Sequence, residues 1–322
     1  MAVNADRIGL LYPDTRMGGF GDLFLQLHDL SGAPIGSATR LTTTTGTAES
    51  NITLVARPTG GFAAFWNGTI VEGVLVDPDG TVGAVFRVRD PSADAEGTSM
   101  IEAFDTGAGF TVLTSDDRLG SSPLEQSVFM SRVDYSGQRI GSDVPLTTTP
   151  FGQLLAAAFH DDELAFVTYT DSGTSRFHRR ALDGAQRGTD TTIVSALGGV
   201  IDSGLVWSGS GYVSSYAEGG TMVRVVVLDP QGVVTGPSIL VGSGSSIDVP
   251  DVDRFGDELL VAWRNNIGGP SYRRIAADGT LLGPVETIAS PASNNIAVAT
   301  IDPGVVMSWN ADMTFNVTVF CP

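Results

Sequence analysis

Val223-Arg-Val-Val-Val-Leu-Asp-Pro-Gln-Gly232 decides the fold of this chain. A run of β-branched residues stops at Asp-x-x-Gly, which between apolar runs is a tight hairpin turn, because Gly accepts the positive φ that the turn requires. The same turn recurs as Asp29-Leu-Ser-Gly32, Asp77-Pro-Asp-Gly80, Asp134-Tyr-Ser-Gly137, Leu182-Asp-Gly184 and Ala277-Asp-Gly279. The glycines fall at 32, 80, 137, 184, 232 and 279, so the spacings are 48, 57, 47, 48 and 47 residues. A second glycine follows at Gly36, Gly83, Gly141, Gly188, Gly236 and Gly283. One period of 47–48 residues, with a single ten-residue insertion, organises the chain.

Each period resolves into four short strands. The third precedes the turn: Leu23–Leu27, Val71–Val76, Val128–Val133, Arg176–Ala181, Val223–Leu228 and Tyr272–Ala276. The fourth ends in Leu-Thr-Thr or a similar triplet, as at Arg40-Leu41-Thr42, Pro145-Leu146-Thr147, Thr192-Ile193-Val194 and Thr287-Ile288. An apolar first strand follows, such as Ile52–Ala56, Leu154–Phe159 or Ile296–Thr300. After a Gly/Asp turn comes the second: Ile8–Tyr12, Phe62–Trp66, Phe110–Thr114, Leu164–Thr168, Tyr212–Tyr216, Leu259–Trp263 and Val305–Trp309. These runs are β-branched and aromatic, about five residues long, and without helical period.

Four antiparallel strands in about 45 residues is the signature of a β-propeller blade. One such sheet has two faces to bury, and radial stacking covers both. The chain is therefore read as all-β: a seven-bladed β-propeller of four-stranded antiparallel blades in a single domain over 1–322. The blades span approximately 1–45, 46–94, 95–149, 150–197, 198–244, 245–291 and 292–322. The first lacks a well-formed inner strand, although Ala2-Val3-Asn4-Ala5 aligns loosely with one. The last is incomplete, stopping after its third strand, Phe315–Phe320. The chain resembles secreted bacterial seven-bladed propeller repeat proteins at the level of fold. It has no Trp-Asp dipeptide of WD40 repeats, no sialidase Asp box and no Asp-x-Asp-x-Asp-Gly calcium loop.

Composition bounds the function. With 36 acidic against 18 basic residues, the net charge is −18, and every basic residue is Arg. Such a surface repels phosphate backbones and anionic membranes, so nucleic acid and membrane insertion are not expected. No apolar run approaches the ~20 residues of a membrane span. Met1-Ala-Val-Asn-Ala-Asp-Arg7 has no signal-peptide core. The acidic, Lys-free, Gly/Thr/Ser-rich composition suits a secreted, cell-surface or periplasmic protein whose signal has been removed. Cys321 is the single cysteine, so no intrachain disulfide forms and no Cys-based zinc site is built.

Loop length separates the two ends of the blades. Connections between strands one and two, and between three and four, are short and repeated. Those between two and three (Pro13–Asp22, Ser115–Gln126, Asp171–Ser175, Arg264–Ser271) and between blades (Thr43–Asn51, Arg89–Ser99, Thr147–Gln153, Gly242–Asp248) are unequal. Variable loops on a rigid scaffold are where binding residues lie. The candidates there are Asp14, Arg16, Asn67, Asp116, Asp117, Arg118, Asp171, Arg264, Asn265 and Asn310, a mixture of carboxylates, amides and guanidinium groups suited to sugar hydroxyls. Ser115-Asp-Asp-Arg118 is the sharpest, because it opens the loop with the large insertion.

Carboxylates near the inner strands, Glu49, Glu102, Asp202 and Asp248, with Asp251 and Asp253, offer a second reading. Two converging on a central funnel would raise one pKa and form an acid/base pair. No cofactor is expected. These oxygens also suit a hard cation such as Ca²⁺, though no single loop supplies a full ligand set. His28, His160 and His178 lie far apart in the repeat and give no Ser/His/Asp order. Two classes thus stand: a non-catalytic propeller binding extracellular glycan or protein through its variable loops, or a polysaccharide- or peptide-directed hydrolase or lyase using funnel carboxylates.

Overall fold

A computed structural model describes the chain apart from residues 15–20, 44–49, 68–69, 91–99, 121–124, 148–151, 171–172, 195–199, 245–246, 266–268, 289–292, 302–303, 312–313 and 322. Side chains are also left out at 50, 200–202, 248–249, 293–295, 310–311 and 314. Two compact units divide at Leu154 and Leu155. Among the described residues every regular element is a strand.

The first unit holds three four-stranded sheets. They are β1 (Ala2–Val3), β2 (Arg7–Asp14), β3 (Asp22–Asp29) and β4 (Pro34–Arg40); β5 (Ser50–Ala56), β6 (Phe62–Asn67), β7 (Val71–Val76) and β8 (Phe86–Arg87); and β9 (Ile101–Asp105), β10 (Phe110–Asp116), β11 (Ser127–Val133) and β12 (Val144–Pro145). The second unit holds four sheets, the first beginning just ahead of the division. They are β13 (Gln153–His160), β14 (Glu163–Tyr169), β15 (Ser175–Ala181) and β16 (Thr191–Val194); β17 (Val200–Trp207), β18 (Tyr212–Glu218), β19 (Met222–Leu228) and β20 (Ile239–Ser243); β21 (Ile247–Phe255), β22 (Glu258–Asn265), β23 (Ser271–Ala276) and β24 (Leu281–Thr287); and β25 (Ser293–Thr300), β26 (Val305–Ala311) and β27 (Thr314–Phe320).

Each sheet is an antiparallel meander in chain order. The loosely aligned N-terminal residues do form an inner strand, with Ala2 opposite Gly9 and Val3 opposite Ile8. The last sheet has three strands. All six turn glycines adopt φ between 81° and 88°, as the Asp-Gly reading requires.

The cores lie between sheets. Along β6, Phe62, Ala64 and Trp66 pack toward Leu23, Leu25 and Leu41 of the first sheet. Ala63 and Phe65 pack the other way, toward Ile101, Phe110 and Val112 of the third. Successive strand side chains alternate faces, and here both faces are buried, so β6 reads as an unbroken apolar run from Phe62 to Trp66. The second unit repeats the scheme: Ala165, Val167 and Phe177 meet Tyr212 and Tyr216, while Val213 and Val225 meet Val261 and Trp263. The aromatic residues closing the second strands, Tyr12, Trp66, Tyr216, Trp263 and Trp309, are buried packing residues. Gly242 exists for one of them, since a Cβ there would lie 2.4 Å from Trp263.

Candidate functional site

Each complete sheet has a turn end and a loop end. At the turn end Asp29, Asp134, Asp79 and Asp278 are consumed by their own turns. Asp29 Oδ1 accepts Ser31 Oγ–H at 2.6 Å and the Ala33 N–H at 2.9 Å, and Asp134 does the same with Ser136 and Gln138. Where Asp stands at the third turn position, Asp79 and Asp278 accept the N–H of Thr81 and Thr280 at 2.9 Å. These bonds favour the ionised form and hold all four carboxyls below their ordinary value.

At the loop end the hairpins run further than the apolar residues do. β2 and β3 pair out to Asp14 opposite Asp22, and β10 and β11 to Asp116 opposite Ser127. Ladder bonds need no apolar side chain, so pairing continues through polar residues that find partners. Asp22 is buried and pairs with Arg40. Asp116 is fully buried, and Arg118 folds back so that its Nε lies 2.9 and 3.0 Å from the two carboxylate oxygens. Arg118 Nη1 donates to Asp143 at 2.6 Å, and its guanidinium sits 3.7 Å over the Phe129 ring. Arg89, 2 % exposed, places Nη2 3.4 Å from Asp116, and Arg139 reaches Asp143 at 3.0 Å. Burial lowers Arg89 below the usual guanidinium value. At Arg118 burial acts the same way, but the bonds to Asp116 and Asp143 outweigh it and raise the group.

The pair singled out in the sequence is therefore an ion network internal to the third blade, joined by Arg89 from the connection ahead of it. Asp117 next door is half-buried. Asn67 is buried, whereas Asp14, Arg264 and Asn265 are half-buried at strand ends. Arg16, Asp171 and Glu49 lie outside the described residues, as do the side chains of Asn310, Asp202 and Asp248. Glu102 is half-buried on β9, opposite Leu113.

The other inner-strand carboxylates serve the backbone. Asp251 accepts the N–H of Val252 and of Val298, each at 2.8 Å. Asp253 accepts those of Arg254 and Thr300, each at 2.7 Å. Desolvation, reinforced by the charge of Asp253, pushes Asp251 up to about 6, and desolvation raises Asp253 too. Among the described residues no three His, Cys, Asp or Glu side chains gather as a metal-ligand set.

Two networks escaped the sequence reading. Glu163 receives Arg179 Nε and Nη2 at 2.7 and 2.8 Å and Tyr212 Oη at 2.6 Å. Burial pushes Glu163 up, but these donors outweigh it and hold the carboxyl low. Glu258 and Arg274 repeat the pair at 3.3 Å with the same sequence separation, which was the available signal. The second network is a hydroxyl–imidazole–carboxylate relay. Thr168 Oγ1 lies 2.8 Å from His178 Nε2, and His178 Nδ1 lies 3.0 Å from Asp190 Oδ2. The linear spacing of the histidines gave no such grouping. Thr168 and His178 are buried, Phe166 stacks on the imidazole at 4.8 Å, and Arg180 pairs with Asp190 at 2.9 Å. With Thr168 and His178 buried, the relay ties together the second and third strands of the fourth blade and the residue just ahead of its fourth.

No family model and no curated protein matches the chain. Among solved structures it is similar to the BP39L lectin from Burkholderia pseudomallei, with a TM-score of 0.63 and 13% identity over 97% of this chain and 94% of that one. It is similar to BBS1N, solved in complex with ARL6DN, with a TM-score of 0.59 and 12% identity over 97% and 91% of the two chains. A third likeness is to the Dos1 propeller, with a TM-score of 0.58 and 12% identity over 92% and 74%. At these identities the likeness shows the fold, a seven-bladed β-propeller with a three-stranded last blade.

Proposed function

We propose that this chain is a non-catalytic binding propeller that recognises an extracellular glycan or protein through the loop ends of its blades. The observation that carries this reading is the contrast between the two ends of each complete sheet. One is closed by turns of one geometry whose aspartates are used internally. The other carries unequal polar connections held on a stiff base, of which the Asp116–Arg118–Asp143 network is the best-defined example. Similarity to a lectin and to BBS1N, solved in complex with ARL6DN, supports a binding role. Asp117 would contact ligand, while Asp116 and Arg118 hold the loop from beneath. On the second unit, Arg264 and Asn265 take the corresponding role. The hydrolase or lyase reading finds less support at Asp251 and Asp253, whose carboxylates are engaged by backbone N–H donors.

The test pairs a glycan array with a broad hydrolase screen, both on the intact chain. Array binding weakened by Asp117→Ala, without turnover, is the expected result. Turnover of a polysaccharide or peptide overturns it. Ligand-induced chemical-shift changes clustered around Gly32, Gly80 and Gly232 would place binding at the wrong ends of the blades.

A further inference from the structure

Two connections at the loop ends are longer than the others of their kind. Residues 88–100 lead from β8 to β9, and residues 117–126 lead from β10 to β11. Both are rooted in the buried ion network of the third blade. Arg89 pairs with Asp116 at 3.4 Å, and the Asp90 N–H donates to Asp143 Oδ2 at 3.1 Å. Arg139 Nε donates to Val88 O at 3.0 Å, and Ser131 Oγ donates to Asp143 Oδ1 at 2.8 Å. From the other connection, Arg118 donates its main-chain N–H to Asp116 Oδ1 at 3.1 Å. The Gly120 N–H then closes a turn on Asp117 O at 2.9 Å. The far end of the loop returns against this turn, since a Cβ on Gly120 would lie 2.1 Å from Glu125 O.

The turn is held from beneath, and it presents two side chains that the network does not use. The arginines of the network are matched by carboxylates: Arg89 by Asp116, Arg118 by Asp143 and Arg139 by Asp90. Asp117 makes no hydrogen bond or ion pair among the described residues, so its carboxylate stands beside a neutral base. Leu119 is 50% exposed. The other exposed large hydrophobics, Ile35, Val85, Ile140, Val233, Leu240 and Val285, lie on fourth strands or in the turns that lead to them. Among the described residues Leu119 alone of this group stands at a loop end. A leucine gains from contact where apolar surface leaves water, and a carboxylate gains from a cation that donates hydrogen bonds to it. The side chain of arginine or lysine offers both at once, with an aliphatic stem and a charged head. The net charge of −18 favours the approach of a basic partner.

We propose that the Asp117–Gly120 turn is a preformed contact for a basic segment of a partner protein, whose arginine or lysine lays its stem on Leu119 and its charged head against Asp117. Arg89 and Asp143 are the positioning residues: they fix the turn through Asp116 and Arg118 without touching the partner. A turn already locked in place has little ordering cost left when the partner arrives. This inference rests on the reading of the loop ends as binding ends, and narrows it from glycan or protein to protein.

The experiment uses the intact chain and a labelled peptide of alternating leucine and arginine. A peptide of alternating serine and arginine, equal in length and charge, is the control. Fluorescence anisotropy is read at physiological ionic strength, beside the glycan array. Saturable binding of the leucine peptide, and weaker binding of the serine peptide, is the expected result. Leu119→Ser and Asp117→Asn should each weaken it about fivefold or more, with little change in Tm. Arg89→Met should weaken it too and speed amide exchange at Gly120, and Arg89→Lys should restore much of both. Asp143→Asn serves should Arg89→Met fold poorly. The proposal is overturned by no saturable peptide binding, by equal binding of the two peptides, or by binding undiminished in both Leu119→Ser and Asp117→Asn. Unchanged exchange at Gly120 in Arg89→Met and Asp143→Asn overturns the positioning role. Array binding that Asp117→Ala weakens and Leu119→Ser does not would assign the turn to a glycan, which overturns this inference and leaves the binding propeller standing. Failure of the array and of both peptides overturns the two together.

Discussion

Asp251 Oδ2 accepts the main-chain N–H of Val298 at 2.8 Å, so a side chain on β21 completes the backbone of β25. Asp253 and Thr300 repeat the contact two residues on, at 2.7 Å. Lost hydration beneath a neighbouring sheet, with the charge of Asp253 adding to it, pushes Asp251 up to about 6. An unfolded aspartate titrates near ~3.9. The folded state therefore binds this proton more tightly, and the stability it contributes is full below about pH 4 and lost as pH rises through about 6. In melts between pH 4 and 8, Asp251→Asn should remove that component of the slope. An unchanged slope would show that the carboxyl titrates normally.

His178 has the opposite sign. Burial lowers its pKa, and the bond to Asp190 only partly opposes this. A neutral imidazole in the folded state contributes stability that is present above its unfolded value of about 6.5 and lost as pH falls through the folded one. The His178 ring should titrate below the unfolded value by NMR, and His178→Gln should flatten the loss of Tm between pH 7 and 5. Titration above the unfolded value would contradict the burial argument.

Gly80 and Gly232 separate two demands made on a turn glycine. Both have positive φ, 88° and 81°. A Cβ on Gly80 meets nothing within 4 Å, whereas on Gly232 it would lie 2.7 Å from Phe177 and 3.0 Å from Arg179 of the preceding blade. Gly80→Ala should cost about 1–2 kcal/mol for the left-handed conformation alone. Gly232→Ala adds overpacking and should cost about 2–4 kcal/mol. Equal losses in chemical denaturation would refute the packing difference.

Asp116 and Asp117 are chain neighbours with opposite roles. Removing the buried Asp116 leaves Arg89 and Arg118 without their shared carboxylate, so Asp116→Ala should destabilise by about 3–5 kcal/mol. Asp117→Ala should stay within about 0.5 kcal/mol, as surface changes do. Urea midpoints of the two variants decide this, and comparable midpoints would break the division into scaffold and binding residue.

The turn glycines and the second strands were legible because each depends on local chemistry repeated six or seven times. The ends of the hairpins were not. Asp14, Asp22 and Asp116 look like loop residues in the sequence, yet they sit in ladders because Arg40 and Arg118 neutralise the carboxylates that need it. The network at Asp116 draws on Arg89 and Asp143 from distant segments, and no linear spacing announces such a meeting. The relay at His178 hides for the same reason: Thr168, His178 and Asp190 come from three different strands or their edges. The Glu163–Arg179 pair, by contrast, left a linear signal that went unused, since Glu258 and Arg274 repeat its spacing.

Phe62, Ala64 and Trp66 belong to one core, and Ala63 and Phe65 to the next. The covalent repeat and the packing repeat are offset by half a blade. Excising the second blade at its connections would bring Leu23 and Leu25 against Ile101 and Phe110, two half-cores never selected to fit. The hairpin turns share one backbone geometry, but the blades are not interchangeable. A propeller of this construction gains or loses a blade only where the new neighbours can interlock, so the number of blades is guarded by the interior and not by the loops.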